Sequence, residues 1–110
     1  MVLFSHLYPL TAWILERVAS FPKPARFTIG ERISLEALQL LEGIAEAQYV
    51  SEKLRLLERA DRHLIRLRIL LRLARDVRCL SPRQHEHVTE KLAEAGRMLG
   101  GWIAYERRSR

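Results

Sequence analysis

Residues 63–78 read HLIRLRILLRLARDVR, a stretch in which leucines and arginines recur at intervals of three and four. Such spacing is typical of an amphipathic helix, because successive helical residues turn by about 100°. Over residues 52–80, one arc of this helix collects only small and aliphatic side chains. The sequence predicts that this arc faces the protein interior. It consists of Leu56, Ala60, Leu64, Leu67, Leu71 and Ala74.

Arginines flank the apolar arc in two rows that occupy different sectors and different halves of the helix. The first arginine row is Arg55, Arg59, Arg62 and Arg66, and the second arginine row is Arg68, Arg72 and Arg75. Residues 52–80 hold nine basic and four acidic side chains, a net charge of +5 out of +6 for the whole chain. Like charges one turn apart destabilise a helix slightly, so the rows favour an anionic ligand over a stabilising role. Arginine also suits bidentate contacts to phosphate. The alternative is a solvated face, or arginines paired with glutamates of the preceding helix.

The second half of the same helix carries apolar side chains outside the predicted interior arc. Either this helix is central in the fold, or the extra surface contacts another subunit and repeats the arginine rows around a symmetric assembly. The residues concerned are Ile69, Leu70, Leu73, Val77 and Leu80.

Helical spacing also predicts a helix near the start of the chain. It runs from about Tyr8, with Pro9 in its first turn, to about Ser20. The sequence PheProLysPro at residues 21–24 ends it, because proline clashes with a continuing helix and disfavours helical geometry in the residue before it. Its predicted buried residues are Leu10, Trp13, Ile14 and Val18.

A second helix begins at Thr28, which forms a predicted capping box with Glu31. Ser51 is the next predicted cap, so this helix ends near residues 49–50 and the next one begins near Glu52. The other glutamates of the second helix are predicted to lie outside its interior face. That face consists of Ile29, Ile33, Ala37, Leu40, Ile44 and Ala47.

The clearest helix start in the chain is a serine cap at Ser81 followed by Pro82 and Gln84. The fourth helix runs from there to about Glu106. Four amphipathic helices with short connections predict an all-α protein, an antiparallel up-and-down four-helix bundle that forms one domain over residues 1–110.

Composition narrows the function classes. The net charge of +6 and the isoelectric point near 10.2 point to an anionic partner such as nucleic acid or a membrane surface. Cys79 is the only cysteine, which excludes an intrachain disulfide and fits a reducing cytoplasm. Apolar runs are too short to span a bilayer, and the first twenty-five residues lack the basic start of a signal peptide. The predicted location is the cytoplasm, without a membrane partner, since the apolar arc is needed for the core.

The chain shows no pattern of catalytic or metal-binding residues. His85 and His87 are predicted surface residues, and neither HExxH nor Glu-x-x-His occurs. Gly96 and Gly100 lie inside a helical pattern, where each costs about 1 kcal/mol relative to alanine. We attribute them to close helix packing, with Trp102 covering the gap. We therefore expect no enzyme activity, no metal and no cofactor.

Three segments resemble the accessory variability determinant, Avd, of diversity-generating retroelements. They read FPKPARFTIGERI at 21–33, LLRLARDVRCLS at 70–81 and GRMLGGW at 96–102, and the resemblance covers essentially the whole chain in order. It implies a four-helix protomer that assembles into a ring-like homopentamer with a basic surface. It also implies a non-catalytic protein that associates with the reverse transcriptase and template RNA of the element, supporting mutagenic copying and retrohoming. The wider group includes four-helix proteins encoded within intervening sequences of bacterial ribosomal RNA genes.

We accordingly predict an adaptor that binds reverse transcriptase and RNA, or DNA as a second polyanion, by neutralising phosphate charge. Basic residues at the proline turn and in the tail, the latter including Arg110, extend the same surface, unless they are ordinary solubilising charge. The alternative is a structural homo-oligomer whose arginines pair internally and which binds no nucleic acid. The predicted contact residues are Arg59, Arg62, Arg66, Arg68, Arg72, Arg75, Arg78, Lys23, Arg26, Arg107 and Arg108.

Overall fold

The structure, a computed structural model, describes residues 1–109, so Arg110 lies outside the described residues. Four long helices and one single-turn helix make an elongated body of 46 × 22 × 20 Å. The elements are α1 (Val2–Ala19), α2 (Lys23–Arg26), α3 (Ile29–Ala47), α4 (Leu54–Asp76) and α5 (Pro82–Arg108).

The four long helices form a closed ring of neighbours in which α3 lies between α1 and α4, and α5 lies between α4 and α1. Contacts between them show the directions of the chain. The ion pair Glu58–Arg107 joins the start of α4 to the end of α5. On α1 and α5, His6 contacts Lys91 while the later Trp13 contacts the earlier His87. Leu35 and Leu38, in the first half of α3, line one groove with Leu70 and Leu73, in the second half of α4. Neighbouring helices are therefore antiparallel. The all-helical prediction is confirmed, and the arrangement is that of a four-helix bundle.

The core is built from one stripe of each long helix, as helical spacing predicts. On α4, five of the six predicted interior residues are buried. Leu57 replaces Leu56 as the buried residue of the first turn, and Leu56 is only half-buried. The two leucines lie about equally far from the centre of the stripe, so periodicity could not distinguish them. Leu80 is also buried, at 3% exposure, contrary to its predicted place on the extra apolar surface.

Helix α1 begins at Val2, six residues earlier than predicted, and Pro9 lies inside it. Leu3 and Leu7 are buried at 4% and 2% exposure and continue the stripe that includes Leu10. Burying each leucine contributes about 1.5–3 kcal/mol, which offsets the roughly 3 kcal/mol cost of an interior proline. The burial of these two leucines thus extends α1 to the N-terminal side of Pro9, whereas helix propensity alone places Pro9 in the first turn.

The proline segment ends α1 as predicted, and it adds the single turn α2 before α3 begins. The capping box predicted at Thr28 is wrong, although Thr28 is the residue that precedes α3. Its hydroxyl donates backwards to the Pro24 carbonyl at 3.0 Å, and no side chain caps the helix start. The α2 turn supplies a nearby carbonyl that competes successfully for the hydroxyl.

The predicted cap at Ser51 is also wrong. Helix α3 ends at Ala47 and α4 begins at Leu54. The Lys53 ammonium donates to the carbonyls of Ala47 and Val50, each at 2.7 Å. A lysine therefore satisfies carbonyls at the end of α3, where the helix dipole also favours positive charge.

Helix α4 ends at Asp76 rather than continuing to residue 80, because Arg78 takes the left-handed conformation with φ of 66°. The Cys79 amide donates to the Ala74 carbonyl at 2.8 Å, and the Arg78 amide donates to the Arg75 carbonyl at 3.0 Å. This pair of bonds is a Schellman motif, whose left-handed position is usually glycine. The predicted capping box that starts α5 is confirmed, with reciprocal bonds between Ser81 and Gln84 at 3.0 and 3.1 Å.

The predicted close packing at the α5 glycines is wrong for Gly100, since an added Cβ there meets nothing within 4 Å in residues 1–109. At Gly96 the added Cβ meets Leu64 Cδ2 at an ordinary 3.5 Å. The tight glycine is Gly30, where an added Cβ comes within 2.9 Å of Val18 Cγ1 and 3.1 Å of the Ala25 carbonyl oxygen. None of the described helices combines the length and hydropathy that a bilayer-spanning segment requires.

Candidate nucleic-acid interface

The first arginine row lies on the solvent face of α4, and all four of its side chains are exposed. It points away from the buried stripe because its residues are displaced from that stripe by well over a quarter turn. In residues 1–109 none of the four makes an ion pair within 4 Å. Four guanidinium groups thus line about three turns of helix without a carboxylate partner among residues 1–109.

The second arginine row faces the groove between α4 and α5. Arg68 and Arg72 are exposed, and Arg75 is half-buried. Arg75 Nε and Nη2 donate to Asp76 Oδ1 at 3.1 and 3.0 Å, which leaves Nη1 directed at His85 Nδ1, 3.5 Å away. Within the described part of the chain, Arg68 and Arg72 have no ion-pair partner. The second row therefore combines two unpaired arginines with one that is already engaged.

His85 is held under this row in the first turn of α5. Of the two predicted surface histidines, His87 is exposed, as predicted, and His85 is partly exposed and half-buried. Burial lowers the pKa of His85, the positive charges of Arg75 and Arg72 lower it further, and the Asp76 carboxylate partly opposes them. The imidazole is therefore neutral at pH 7. Sequence spacing could have indicated its position, since His85 precedes the buried Val88 by three residues.

The remaining predicted contact residues separate into two groups at opposite ends of the bundle. Because neighbouring helices are antiparallel, Lys23 and Arg26 on α2 share an end with Arg78, which is exposed on the turn after α4. Arg107 and Arg108 lie at the other end, close to the start of α4. The structure therefore gives one extended set of basic groups along α4 rather than a single compact site.

Within each of these two groups, one side chain is engaged inside the protomer and another is exposed. The Arg26 guanidinium lies 5.9 Å from the centroid of the Phe27 ring, and its buried Nε has no hydrogen-bond partner among the described residues. Arg107 Nη2 donates to Glu58 Oε2 at 2.8 Å. Lys23 and Arg108 are exposed. Arg26 and Arg107 are thus partly committed to contacts inside the protomer.

Sequence reasoning missed a buried polar pair beside the arginine rows. Glu36 was predicted outside the interior face of its helix, yet it is buried at 5% exposure, with Oε2 located 2.7 Å from His63 Nδ1. Glu36 follows the buried Ile33 by three residues, so helical spacing did allow this position. Its partner is 27 residues away in sequence, and no local pattern links the two. The pair fixes α3 against α4 next to the first arginine row.

An apolar groove of about 800 Å³ lies between the first half of α3 and the second half of α4. Its lining includes Phe27, Leu35, Leu38, Leu70 and Leu73. Beyond it, the outer face of α4 continues the direction of the first arginine row with exposed apolar side chains. These are Ile69, Leu73 and Val77, with exposures of 62%, 47% and 55%.

In the part of the chain that the structure describes, no three histidine, cysteine, aspartate or glutamate side chains lie close enough together to hold a metal ion. A family model described as bAvd-like matches residues 1–106. No curated protein matches the chain.

Proposed function

The chain belongs to the bAvd-like family, and from this premise we propose that it is a non-catalytic accessory protein of a diversity-generating retroelement. In this proposal it binds the reverse transcriptase and the template RNA of the element through the basic surface of α4. Binding holds polymerase and template together and supports mutagenic reverse transcription.

One observation carries the proposal, namely that the guanidinium groups along α4 are largely unpaired. Of the seven arginines in the two rows, only Arg75 forms an ion pair in residues 1–109, and its partner is the adjacent Asp76. Exposed arginines without carboxylate partners are available for bidentate contacts to phosphate oxygens. The rows span most of α4, so several consecutive phosphates of an extended strand can be neutralised at once. Sequence preference is weak in this mechanism, because phosphate contacts position a strand without reading its bases.

We further propose that the protein acts as a homo-oligomer. The exposed apolar side chains of Ile69, Leu73 and Val77, together with the groove between α3 and α4, offer a continuous apolar surface for a second copy. A repeated protomer would multiply the arginine rows around one assembly. The number five is taken from the resemblance to Avd.

A second candidate function is a structural oligomer of the type encoded in ribosomal RNA intervening sequences. The observation that favours it is the acidic outer side of α3, where Glu42 and Glu46 are exposed and have no ion pair among the described residues. Those carboxylates could pair with arginines of a neighbouring copy, which would leave little charge for RNA.

Filter binding of single-stranded RNA separates the two candidates. The test compares the wild type with Arg59→Gln/Arg62→Gln/Arg66→Gln and with a control that removes the same charge from exposed positions of α5. The accessory-protein proposal predicts a loss of roughly tenfold or more for the row variant and a smaller loss for the control. The control variant is Arg83→Gln/Lys91→Gln/Arg97→Gln, whose residues are all exposed.

The structural alternative predicts a different pair of results. The wild type would retain no RNA on the filter, and the row variant would elute as a smaller species in size-exclusion chromatography because its pairs between copies are lost. Equal loss of RNA binding in the row variant and the α5 control would also count against the proposed site, since it would mean that only total charge matters.

A further inference from the structure

His85 and the second arginine row form a cluster in the groove between α4 and α5. The charged groups that face His85 are Arg72, Arg75 and Asp76, all on α4. On its own helix, His85 Nε2 lies 3.3 Å from the Thr89 hydroxyl oxygen. Arg75 Nη1 lies 3.5 Å from the other ring nitrogen, Nδ1. The cluster thus holds an imidazole between a guanidinium and a hydroxyl.

This geometry determines which nitrogen of the neutral ring carries the proton. A guanidinium nitrogen can only donate, so Nδ1 must be the accepting nitrogen of His85 and Nε2 carries the hydrogen towards Thr89. Protonating Nδ1 would turn two donors towards each other. That arrangement becomes favourable only if an acceptor serves both of them.

A phosphate oxygen can be that acceptor. An oxygen about 2.8 Å from each donor, the usual distance for a charge-assisted bond, completes a triangle on two nitrogens that are 3.5 Å apart. Arg75 Nη1 is available for it because the Asp76 carboxylate engages the other two nitrogens, Nε and Nη2. Arg72, exposed and one turn earlier on α4, adds the positive charge of a second guanidinium at His85.

We propose that Arg72, Arg75 and His85 form a phosphate-binding site that takes up a proton at His85 when a phosphate of RNA binds. The inference rests on the proposed function and adds a pH dependence to it. A bound phosphate neutralises the arginine charges that disfavour the imidazolium and accepts its new hydrogen bond.

The direction in which RNA affinity changes with pH follows from the linkage between proton binding and phosphate binding. Free His85 has a lowered pKa, because it is partly buried and lies beside Arg75. Bound phosphate raises that pKa, so the complex holds a proton that the free protein lacks. RNA affinity therefore rises as the pH falls through the interval between the two pKa values, and it is independent of pH above that interval.

Fluorescence anisotropy with a labelled single-stranded RNA at constant ionic strength tests the inference from about pH 8 to about pH 5.5. The wild type is compared with His85→Gln and with the control His87→Gln, which removes an exposed histidine two residues away whose ring lies 5.0 Å from that of Trp13. We expect wild-type affinity to rise roughly threefold to tenfold on acidification, corresponding to a pKa change of about one unit or less. His87→Gln should show the same rise and His85→Gln should lose most of it.

An undiminished pH dependence in His85→Gln, with RNA still bound, would overturn the inference and leave the proposed function standing. A wild type that binds no RNA at any pH would overturn both. An NMR titration of the wild type is independent of how the variant folds. The pKa of His85 should be higher with RNA than without it, and an unchanged or lower pKa would contradict the site.

Discussion

The most stringent test of the fold is the replacement of Gly30 by alanine. An added Cβ would lie 2.9 Å from Val18 Cγ1 and 3.1 Å from the Ala25 carbonyl oxygen. The valine methyl can shift slightly, but the carbonyl belongs to the backbone of α2 and moves only with that turn. Overpacking of this kind costs about 1–3 kcal/mol. Alanine recovers up to about 1 kcal/mol through its helix propensity, and less so near a helix start.

We therefore expect Gly30→Ala to lower the free energy of unfolding by about 1–2 kcal/mol, or the melting temperature by about 4–8 °C for a chain of this length. Gly43→Ala is the matched control on the same helix. An added Cβ there meets Ala60 Cβ at an ordinary 3.6 Å. The propensity gain should then dominate and raise stability by up to about 1 kcal/mol.

Urea denaturation followed by circular dichroism measures both variants, at one fixed protein concentration because self-association would shift the apparent stability. The two substitutions are chemically identical and should change stability in opposite directions. A Gly30→Ala variant as stable as the wild type would refute the close approach of α1, α2 and α3. A clear destabilisation by Gly43→Ala would show that α3 and α4 are packed more tightly than described.

Three further predictions follow from single side chains. Glu36→Ala should lower the free energy of unfolding in urea by about 1–3 kcal/mol, because it leaves His63 Nδ1 without its hydrogen-bond partner. The double replacement of both residues by leucine should stay closer to the wild type, because it removes both polar groups together. Arg78→Gly should raise stability by about 1 kcal/mol, since it removes a side chain from a left-handed position, and should weaken RNA binding in the same preparation. Because the pKa of His85 is lowered in the folded protein, the unfolded chain binds a proton at this residue more readily. The folded state therefore loses stability as the pH falls below about 6.5. In thermal melts over that range, the melting temperature of His85→Gln should fall less than that of the wild type.

The helices were predictable from the sequence because burial follows a period that the sequence displays directly. The spacing of leucine, isoleucine and alanine was sufficient to predict the buried stripe of α4 and the core face of α3. Ser81, Pro82 and Gln84 were sufficient to predict the start of α5, because they interact with one another locally. The early start of α1 was not predictable in this way. Its cause is the burial of Leu3 and Leu7 by other helices, which outweighs the local signal of Pro9.

The errors in the caps and the polar pair have one physical origin, since each depends on groups that the fold brings together. Thr28 bonds to a carbonyl of α2, and Lys53 satisfies the carbonyl of Ala47, six residues before it. Glu36 is buried because His63 reaches it from another helix. For the candidate site, spacing located the arginine rows along α4, but the contact of Arg75 with a half-buried histidine required the antiparallel packing of α5.

The central claim is that α4 binds a polyanion through its unpaired arginines, and the salt dependence of RNA affinity tests it most directly. The logarithm of the association constant for single-stranded RNA is measured against the logarithm of salt concentration, from about 50 mM to about 200 mM. The account predicts a steep negative slope for the wild type. For Arg68→Gln/Arg72→Gln/Arg75→Gln it predicts a slope smaller in magnitude by about two, since each phosphate contact to a single strand contributes about 0.7. A wild-type affinity that hardly changes with salt, or a slope that is unchanged in the variant without the second arginine row, would contradict it.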